Sequence, residues 1–288
     1  MYKKILVATG GSPWSEAAVV YAIALAARLG AELHILTVLV IHAAYAMPDM
    51  MASSDLVMES VERQGHELLA QATEKAMQAG IVFTTSCKWG NIPETILQTT
   101  AEEACDLIVL GSRQVAGRKR LRLGSISSIV ASKAEQPVLV VKQPPPPVPP
   151  ALLWRRLLAA TGGSPWSDAA VDHALSLARQ QQLDVCLLYV DAGRRRSSGT
   201  PAAVEEKGIL ALVEARAVAA GVSYETRMAY GDVTDGILDT ATQQQCDLII
   251  LGSRGLTGWK RLMLGSISNA VAVKAAQPVM IVKRFLHA

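Results

Sequence analysis

The 288-residue chain is poor in charge, in aromatic residues and in cysteine, and these scarcities exclude several classes of protein. Charged residues make up 18% of it, below the usual quarter, and the formal net charge is +3. Because half of the residues are hydrophobic, the composition excludes an intrinsically disordered chain, and the small net charge argues against a nucleic-acid binder. The four cysteines form no CxxC pair, so we expect small core residues in a reduced, cytoplasmic protein.

Long apolar runs and catalytic motifs are missing as well. The run Ala17–Ala27 is bounded by Glu16 and Arg28 and falls short of the roughly 18 residues that cross a membrane. The five histidines show no HExxH or other paired metal spacing, and no G-x-S-x-G nucleophile motif occurs. The sequence therefore predicts a soluble protein with no membrane partner, no metal site and no catalytic centre.

Most of the chain consists of two copies of one sequence unit. Lys3–Val19 matches Arg155–Val171 at 12 of 17 positions, and Gly111–Val141 matches Gly252–Val282 at 20 of 31. Between the copies, residues 144–150 hold six of the 13 prolines, which favour an extended polyproline spacer over a helix or a central strand. We therefore expect a first domain at 1–143, a proline-rich linker at 144–153 and a second domain at 154–288.

Short β-branched runs alternate with longer helical patterns in each copy. The run Leu107–Leu110 is continuously apolar, as in a strand of a parallel sheet that is buried on both faces. The third strands are predicted at Ile81–Cys87 and Val222–Met228. Each copy is thus predicted to be a five-stranded α/β domain, with helices on both faces of a parallel sheet.

Two loops in each copy follow strands one and four, at the edge where an open parallel sheet binds ligands. In the second copy the first loop is Thr161–Pro165, whose glycines permit a tight turn and whose serine and proline suit the start of a helix. The second loop contains Gly252 and Gly255, followed by Gly265 and Ser266 at a helix start. Glycines let backbone N–H groups approach phosphate oxygens, and a helix start adds donors and a favourable dipole. This loop is therefore typical of a phosphate site.

With this spacing, G-x2-G-x9-G-S, the chain resembles the universal stress protein family in its tandem two-domain form. The resemblance covers nearly the whole chain and includes the CDLIVLGSR and CDLIILGSR segments and both LGSIS and QPV sequences. It implies a flavodoxin-like sheet of order 3-2-1-4-5 in each copy and a pseudo-twofold pair of sandwich domains. It also implies a stress-response sensor or regulator that binds ATP or AMP, with or without Mg²⁺, between strands one and four.

The resemblance places the better nucleotide site in the second copy, at Ala160, Thr161, Gly162, Gly163, Ser164, Val190, Leu251, Gly252, Ser253, Arg254, Gly255, Gly265, Ser266 and Ile267. The weaker equivalent site in the first copy comprises Ala8, Thr9, Gly10, Val38, Leu110, Gly111, Arg113, Gln114, Gly124, Ser125 and Ile126. It is the weaker one because Gln114 replaces the second glycine of the pattern.

Both copies also depart from the family at one position. Gly10 and Gly162 stand where many nucleotide-binding relatives carry aspartate. Two alternatives therefore stay open: a scaffold of the same fold that binds no nucleotide, and a slow ATPase. The second alternative lacks an evident base or a metal-binding carboxylate in either turn.

The last strand of each copy, within Pro137–Lys142 and Pro278–Lys283, is strongly apolar and would form a sheet edge. Because an exposed apolar edge invites aggregation, we expect these two strands to pair with each other inside the chain. Universal stress proteins dimerise through this strand, so the resemblance implies the same pairing, with a homodimer and an unidentified protein partner as further options. The basic residues 118–122 are interpreted as solvated charge, with attraction of phosphates or of an acidic partner as the alternative. The methionines from Met47 to Met58 are interpreted as packing, with a mobile lid or a partner surface as the alternative.

Overall fold

The computed structural model of the chain describes residues 2–40, 54–112, 123–193, 202–253 and 264–283, and these form two compact units. The first unit contains the described residues of 2–112 and 141–150, and the second contains those of 113–140 and 151–288. The predicted domain boundaries follow the sequence repeats instead, and they stay a prediction.

The first unit is a parallel sheet with helices packed against it. Its strands are β1 (Lys4–Thr9), β2 (Glu32–Leu39), β3 (Phe83–Trp89) and β4 (Leu107–Gly111). Its helices are α1 (Pro13–Leu29), α2 (Ser54–Gln78) and α3 (Ile92–Glu102). The strands lie in the order β3-β2-β1-β4, so the order changes direction between β1 and β4.

The second unit repeats this pattern and adds the end of the first copy. Its strands are β5 (Val138–Val141), β6 (Arg156–Thr161), β7 (Asp184–Asp191), β8 (Tyr224–Tyr230), β9 (Leu248–Gly252) and β10 (Val279–Val282). Its helices are α4 (Ser125–Lys133), α5 (Pro165–Gln181), α6 (Ala202–Ala220), α7 (Val233–Gln243) and α8 (Ser266–Lys274). The strand order is β5-β10-β9-β6-β7-β8, and a short 3-10 turn at Pro150–Leu152 ends the proline-rich segment.

The central strands form the core, as their continuous apolar sequences predict. Ile5, Leu6 and Val7 on β1 are fully buried, and so are Leu157, Leu158 and Ala159 on β6. Each large aliphatic side chain buried in this way contributes about 1.5–3 kcal/mol to folding. The mixed α/β class and the parallel sheet predicted from the sequence are therefore confirmed.

Strand β5 is an antiparallel neighbour of β10 within the second unit. Leu139 lies opposite Met280, and both side chains are fully buried. The two apolar edges predicted to pair are thus hydrogen-bonded to each other, which removes them from solvent.

The third strand of each copy is shifted by two residues from its predicted position. Strand β3 begins at Phe83, because Val82 joins the sheet only through its carbonyl, which accepts a hydrogen bond from the Leu33 amide. The Val82 side chain is 71% exposed, so the apolar start of this segment marks the turn before the strand. Cys87 is only half-buried because β3 is an edge strand, whereas Cys105, Cys186 and Cys246 are buried core residues as predicted.

Within the described part of the chain, no helix is both long enough and apolar enough to cross a membrane. The same residues contain no group of three or more histidine, cysteine, aspartate or glutamate side chains that could hold a metal ion.

Candidate functional site

The turn from β6 to α5 is held by hydrogen bonds within the turn itself. The Ser167 hydroxyl oxygen accepts hydrogen bonds from the amides of Gly162, at 3.3 Å, and Ser164, at 3.0 Å. Ser164 Oγ in turn accepts from the Ser167 amide, which completes a reciprocal cap on α5. The Gly163 amide donates to Thr161 Oγ1 at 3.2 Å. The amides of this glycine turn are therefore already used inside the protein.

Sequence reasoning identified Ser164 as a helix cap but missed the role of Ser167. A serine three residues after the cap takes the place of the usual glutamate or glutamine of a capping box. The spacing S-x-x-S at 164–167 is the sequence pattern that predicts this reciprocal cap, and the same pattern occurs at 12–15. In the first copy, however, only the Ser12 side of the cap is complete, with the Ser15 amide donating to Ser12 Oγ at 3.2 Å.

The first copy also differs in the partner of the threonine that ends its first strand. Thr9 Oγ1 donates to the Glu16 carboxylate at 3.3 Å, whereas Thr161 in the second copy lies against the Ser167 hydroxyl at 3.5 Å. Glu16 is ion-paired with Lys75 at 2.6 Å. Asp168, the counterpart of Glu16, is likewise ion-paired, with Arg216 at 3.5 Å, so this contact does not by itself favour either copy for phosphate.

Gly252, the first glycine of the phosphate pattern, has a packing role. A Cβ added to it would lie 2.6 Å from the carbonyl carbon of Trp166 and closer still to the carbonyl oxygen. A Cβ on Gly111 would likewise collide with the backbone of Trp14. Only glycine lets the first turn of α5, or of α1, lie this close to the end of the strand. This glycine is therefore required with or without a ligand.

Helix α8 begins beside the same strand end with no side-chain cap. The Gly265 amide donates to the Ser253 carbonyl at 2.8 Å, and Ser268 Oγ donates to the Gly252 carbonyl at 2.6 Å. Among the described residues, no side chain caps the helix at Gly265, and Ser266 is exposed. Amides in the first turn of an uncapped helix are donors in need of a partner, and the helix dipole favours an anion at this position.

The described members of the second-copy site are thus brought to one edge of the sheet. Ala160 and Thr161 end β6, Val190 lies near the end of β7, and Leu251 and Gly252 end β9. Because β7, β6 and β9 are parallel neighbours, these ends meet at one edge, where α5 and α8 begin.

The first-copy residues hold equivalent places in their own elements. The ends of β1, β2 and β4 carry Ala8, Thr9, Val38, Leu110 and Gly111. The uncapped start of α4 is formed by Gly124, Ser125 and Ile126. Arg113, Gln114, Arg254 and Gly255 lie outside the described residues, as do the basic residues 118–122.

Two of the buried thiols are held in the protonated form by their surroundings. Burial raises the pKa of Cys105 to about 12, and the hydrogen bond with Cys186, together with burial, raises the pKa of Cys246 far above its usual range. A thiol with such a pKa stays protonated near pH 7 and is unreactive. Both cysteines therefore act as packing residues, in keeping with their burial.

The fold and the site together define a class of protein: two parallel-sheet α/β domains in tandem, of which the second has an uncapped helix start at the switch point of its sheet. The chain belongs to the universal stress protein family, whose model matches residues 1–142 and again residues 153–283. The predicted family and its tandem form are therefore confirmed.

Individual relatives agree with this assignment. The universal stress protein YxiE of Bacillus subtilis is 36% identical over 141 residues, which cover 43% of this chain and 95% of that protein. A universal stress protein of Mycolicibacterium smegmatis is 27% identical over 239 residues and covers 79% of each chain. The crystal structure of a universal stress protein from Archaeoglobus fulgidus superposes with a TM-score of 0.77 at 22% identity, over 98% of each chain. This last likeness shows a shared fold along the whole chain.

Proposed function

We propose that this protein is a stress-response regulator that binds an adenine nucleotide, ATP or AMP, chiefly in its second copy. The observation that carries the proposal is the uncapped start of α8, located where β9 ends beside β6. Phosphate oxygens would accept from the first-turn amides of α8, and the Ser266 hydroxyl would supply a further donor. The ribose and adenine would lie toward Ala160, Val190 and Leu251, the half-buried and buried residues at the strand ends.

Nucleotide would act by ordering the loops around it. The phosphates would link the start of α8 to the turn Thr161–Ser164, and the altered surface would be read by a protein partner. Chemistry on the nucleotide is no part of the proposal, and release of phosphate from ATP tests the slow-ATPase alternative directly.

Calorimetric titration of the full chain with ATP and with AMP tests the proposal, and we expect binding in the micromolar range. The informative variant is Gly265→Asp. Gly265 has φ −58° and ψ 145°, which any residue can adopt, and aspartate is a good helix cap. The variant should therefore fold at least as stably as the wild type, while its carboxylate occupies the amides and repels phosphate. Because like charges in contact cost several kcal/mol, affinity should fall more than tenfold.

The matched control is Gly124→Asp at the start of α4. Gly124 has nearly the same backbone conformation and also lacks a side-chain cap, so the substitution makes the same change in the first copy. It should leave the main binding event unchanged. Absence of heat from the wild type, together with the absence of co-purifying nucleotide by mass spectrometry, would rule the sensor out.

A scaffold without nucleotide is the rival function, and one observation favours it. The amides of Gly162, Gly163 and Ser164 are already bonded to Ser167 and Thr161, so this turn offers a ligand few additional donors. The substitution Gly162→Asp separates the two functions. A Cβ at this position meets no atom within 4 Å, so aspartate fits and restores the residue that many nucleotide-binding relatives carry. A gain in ATP affinity would show that the site is a weakened nucleotide site, whereas no binding by either protein would favour the scaffold.

A further inference from the structure

Strand β8 forms an open edge of the sheet in the second unit. It pairs with β7 along its whole length, and no other described strand pairs with it. Its terminal tyrosines are exposed, Tyr224 by 37% and Tyr230 by 72%. A strand edge of this kind presents unpaired backbone N–H and C=O groups, which can pair with another extended chain.

A groove runs between β8 and helix α7. Its cavity has a volume of about 320 Å³, and it lies apart from the ends of β6 and β9. Met228 and Tyr230 line it from the strand, and Gly236 and Thr240 line it from the helix. This volume is at the lower end of the range of ligand sites and suits a few residues of a peptide.

Three carboxylates follow the helix side of the groove. Asp232, Asp235 and Asp239 are all exposed and occupy positions i, i+3 and i+7, so they share one face of α7 over roughly 10 Å. Asp232 caps the helix, and Asp235 is paired with Lys274 at 3.1 Å. Asp239 has no ion pair or hydrogen bond among the described residues. The one cation on the strand side, Arg227, is balanced by its ion pair with Glu225.

The first copy carries the same groove elements without this chemistry. The repeat-equivalent positions are Asn91, Glu94 and Gln98, and Thr95 stands where the second copy has Gly236. Trp89, the counterpart of Tyr230, donates its ring N–H to Glu62 at 3.0 Å. The row of three carboxylates is therefore not repeated in the first copy, which has only Glu94 at these positions.

We propose that the groove between β8 and α7 binds an extended basic peptide, which adds to the edge of β8 and directs its cationic side chains at Asp232, Asp235 and Asp239. Alternate side chains of a strand lie roughly 6.8 Å apart, so two successive lysines or arginines on one face match about two thirds of the carboxylate row, and a third extends beyond it. Main-chain hydrogen bonds to β8 supply affinity, and the aspartates select positive charge. The exposed ring of Tyr230 adds a surface on which a cation can stack.

Fluorescence anisotropy of the full chain tests this with labelled nine-residue peptides. A peptide of alternating lysine and valine should bind, and one of alternating glutamate and valine should not. The same lysine peptide with alternate backbone nitrogens methylated keeps its charge but cannot pair with a strand, so it should lose most of its affinity. Two results would overturn strand addition. In one, the methylated peptide binds as tightly as the unmethylated lysine peptide. In the other, spermidine displaces the lysine peptide with an affinity equal to that of the peptide itself.

Two variants test the carboxylate row. Asp239→Asn should weaken the lysine peptide roughly two- to five-fold, the range for one exposed charge pair. Glu94→Gln, at the position in the first copy that corresponds to Asp235, is the matched control and should leave binding unchanged. Equal loss in both variants would mean that general surface charge attracts the peptide, which would overturn the site. Gly265→Asp should bind the peptide as the wild type does, so this test stands or fails independently of nucleotide.

Discussion

Replacement of Gly252 by alanine measures how much of the phosphate pattern serves packing. The added Cβ would lie 2.6 Å from the Trp166 carbonyl carbon and closer to the carbonyl oxygen. Since ordinary contact begins at 3.4 Å, the first turn of α5 must withdraw by at least about 0.8 Å. The atoms in the way are backbone atoms, which cannot rotate aside. Overpacking of this kind costs about 1–3 kcal/mol, and strain in the Ser164–Ser167 cap adds to it. We expect a loss of about 2 kcal/mol in the free energy of unfolding.

The assay is urea unfolding followed by circular dichroism, with hydrogen exchange at the Ser167 amide as a local measure. The matched control is Gly162→Ala. Gly162 has no positive φ, and a Cβ there meets nothing within 4 Å. The control should leave stability unchanged or raise it by up to about 1 kcal/mol, because alanine restricts the unfolded chain.

The refuting result is specific. If Gly252→Ala has the same free energy of unfolding as the wild type and loses only nucleotide binding, the glycine serves the ligand. The packing argument is then wrong. If it loses stability and the Ser167 amide exchanges faster, the glycine is explained by the close approach of α5.

Two further predictions concern the capped turn and a buried histidine. Ser167→Ala removes the acceptor of the Gly162 and Ser164 amides and should cost about 1 kcal/mol in urea unfolding, and Ser15→Ala should cost less because that cap is not reciprocal. His34 is 2% exposed and bonded to two hydroxyls, and burial lowers its pKa below the usual 6.5. As the pH falls through that value the unfolded chain takes up a proton that the folded chain does not. Stability should therefore fall from pH 7.5 to pH 5.5, and His34→Gln should show a smaller fall; an equal fall in both proteins would refute the assignment to His34.

Much of the fold could be predicted from the sequence because its signals are local. The repeats, the apolar central strands and the Ser-Pro helix starts each depend on neighbouring residues. The third strands were misplaced because Val82 belongs to the turn, and only the register against β2 shows this. The sequence also could not show that Gly252 touches Trp166, since that contact joins elements 86 residues apart.

These contacts change what the glycine pattern indicates. The first glycine of the motif is required by the approach of a helix to the sheet, so its presence in both copies says little about nucleotide. The glycine turn after β6 is equally self-contained, because Ser167 and Thr161 accept its amide hydrogens. What packing does not explain is the uncapped start of α8, where Gly265 stands although aspartate or serine would stabilise the helix. The absence of a cap at a backbone conformation that any residue can adopt is the feature that favours an anion, and α4 shares it. The case for nucleotide therefore depends on the last glycine of the motif rather than the first.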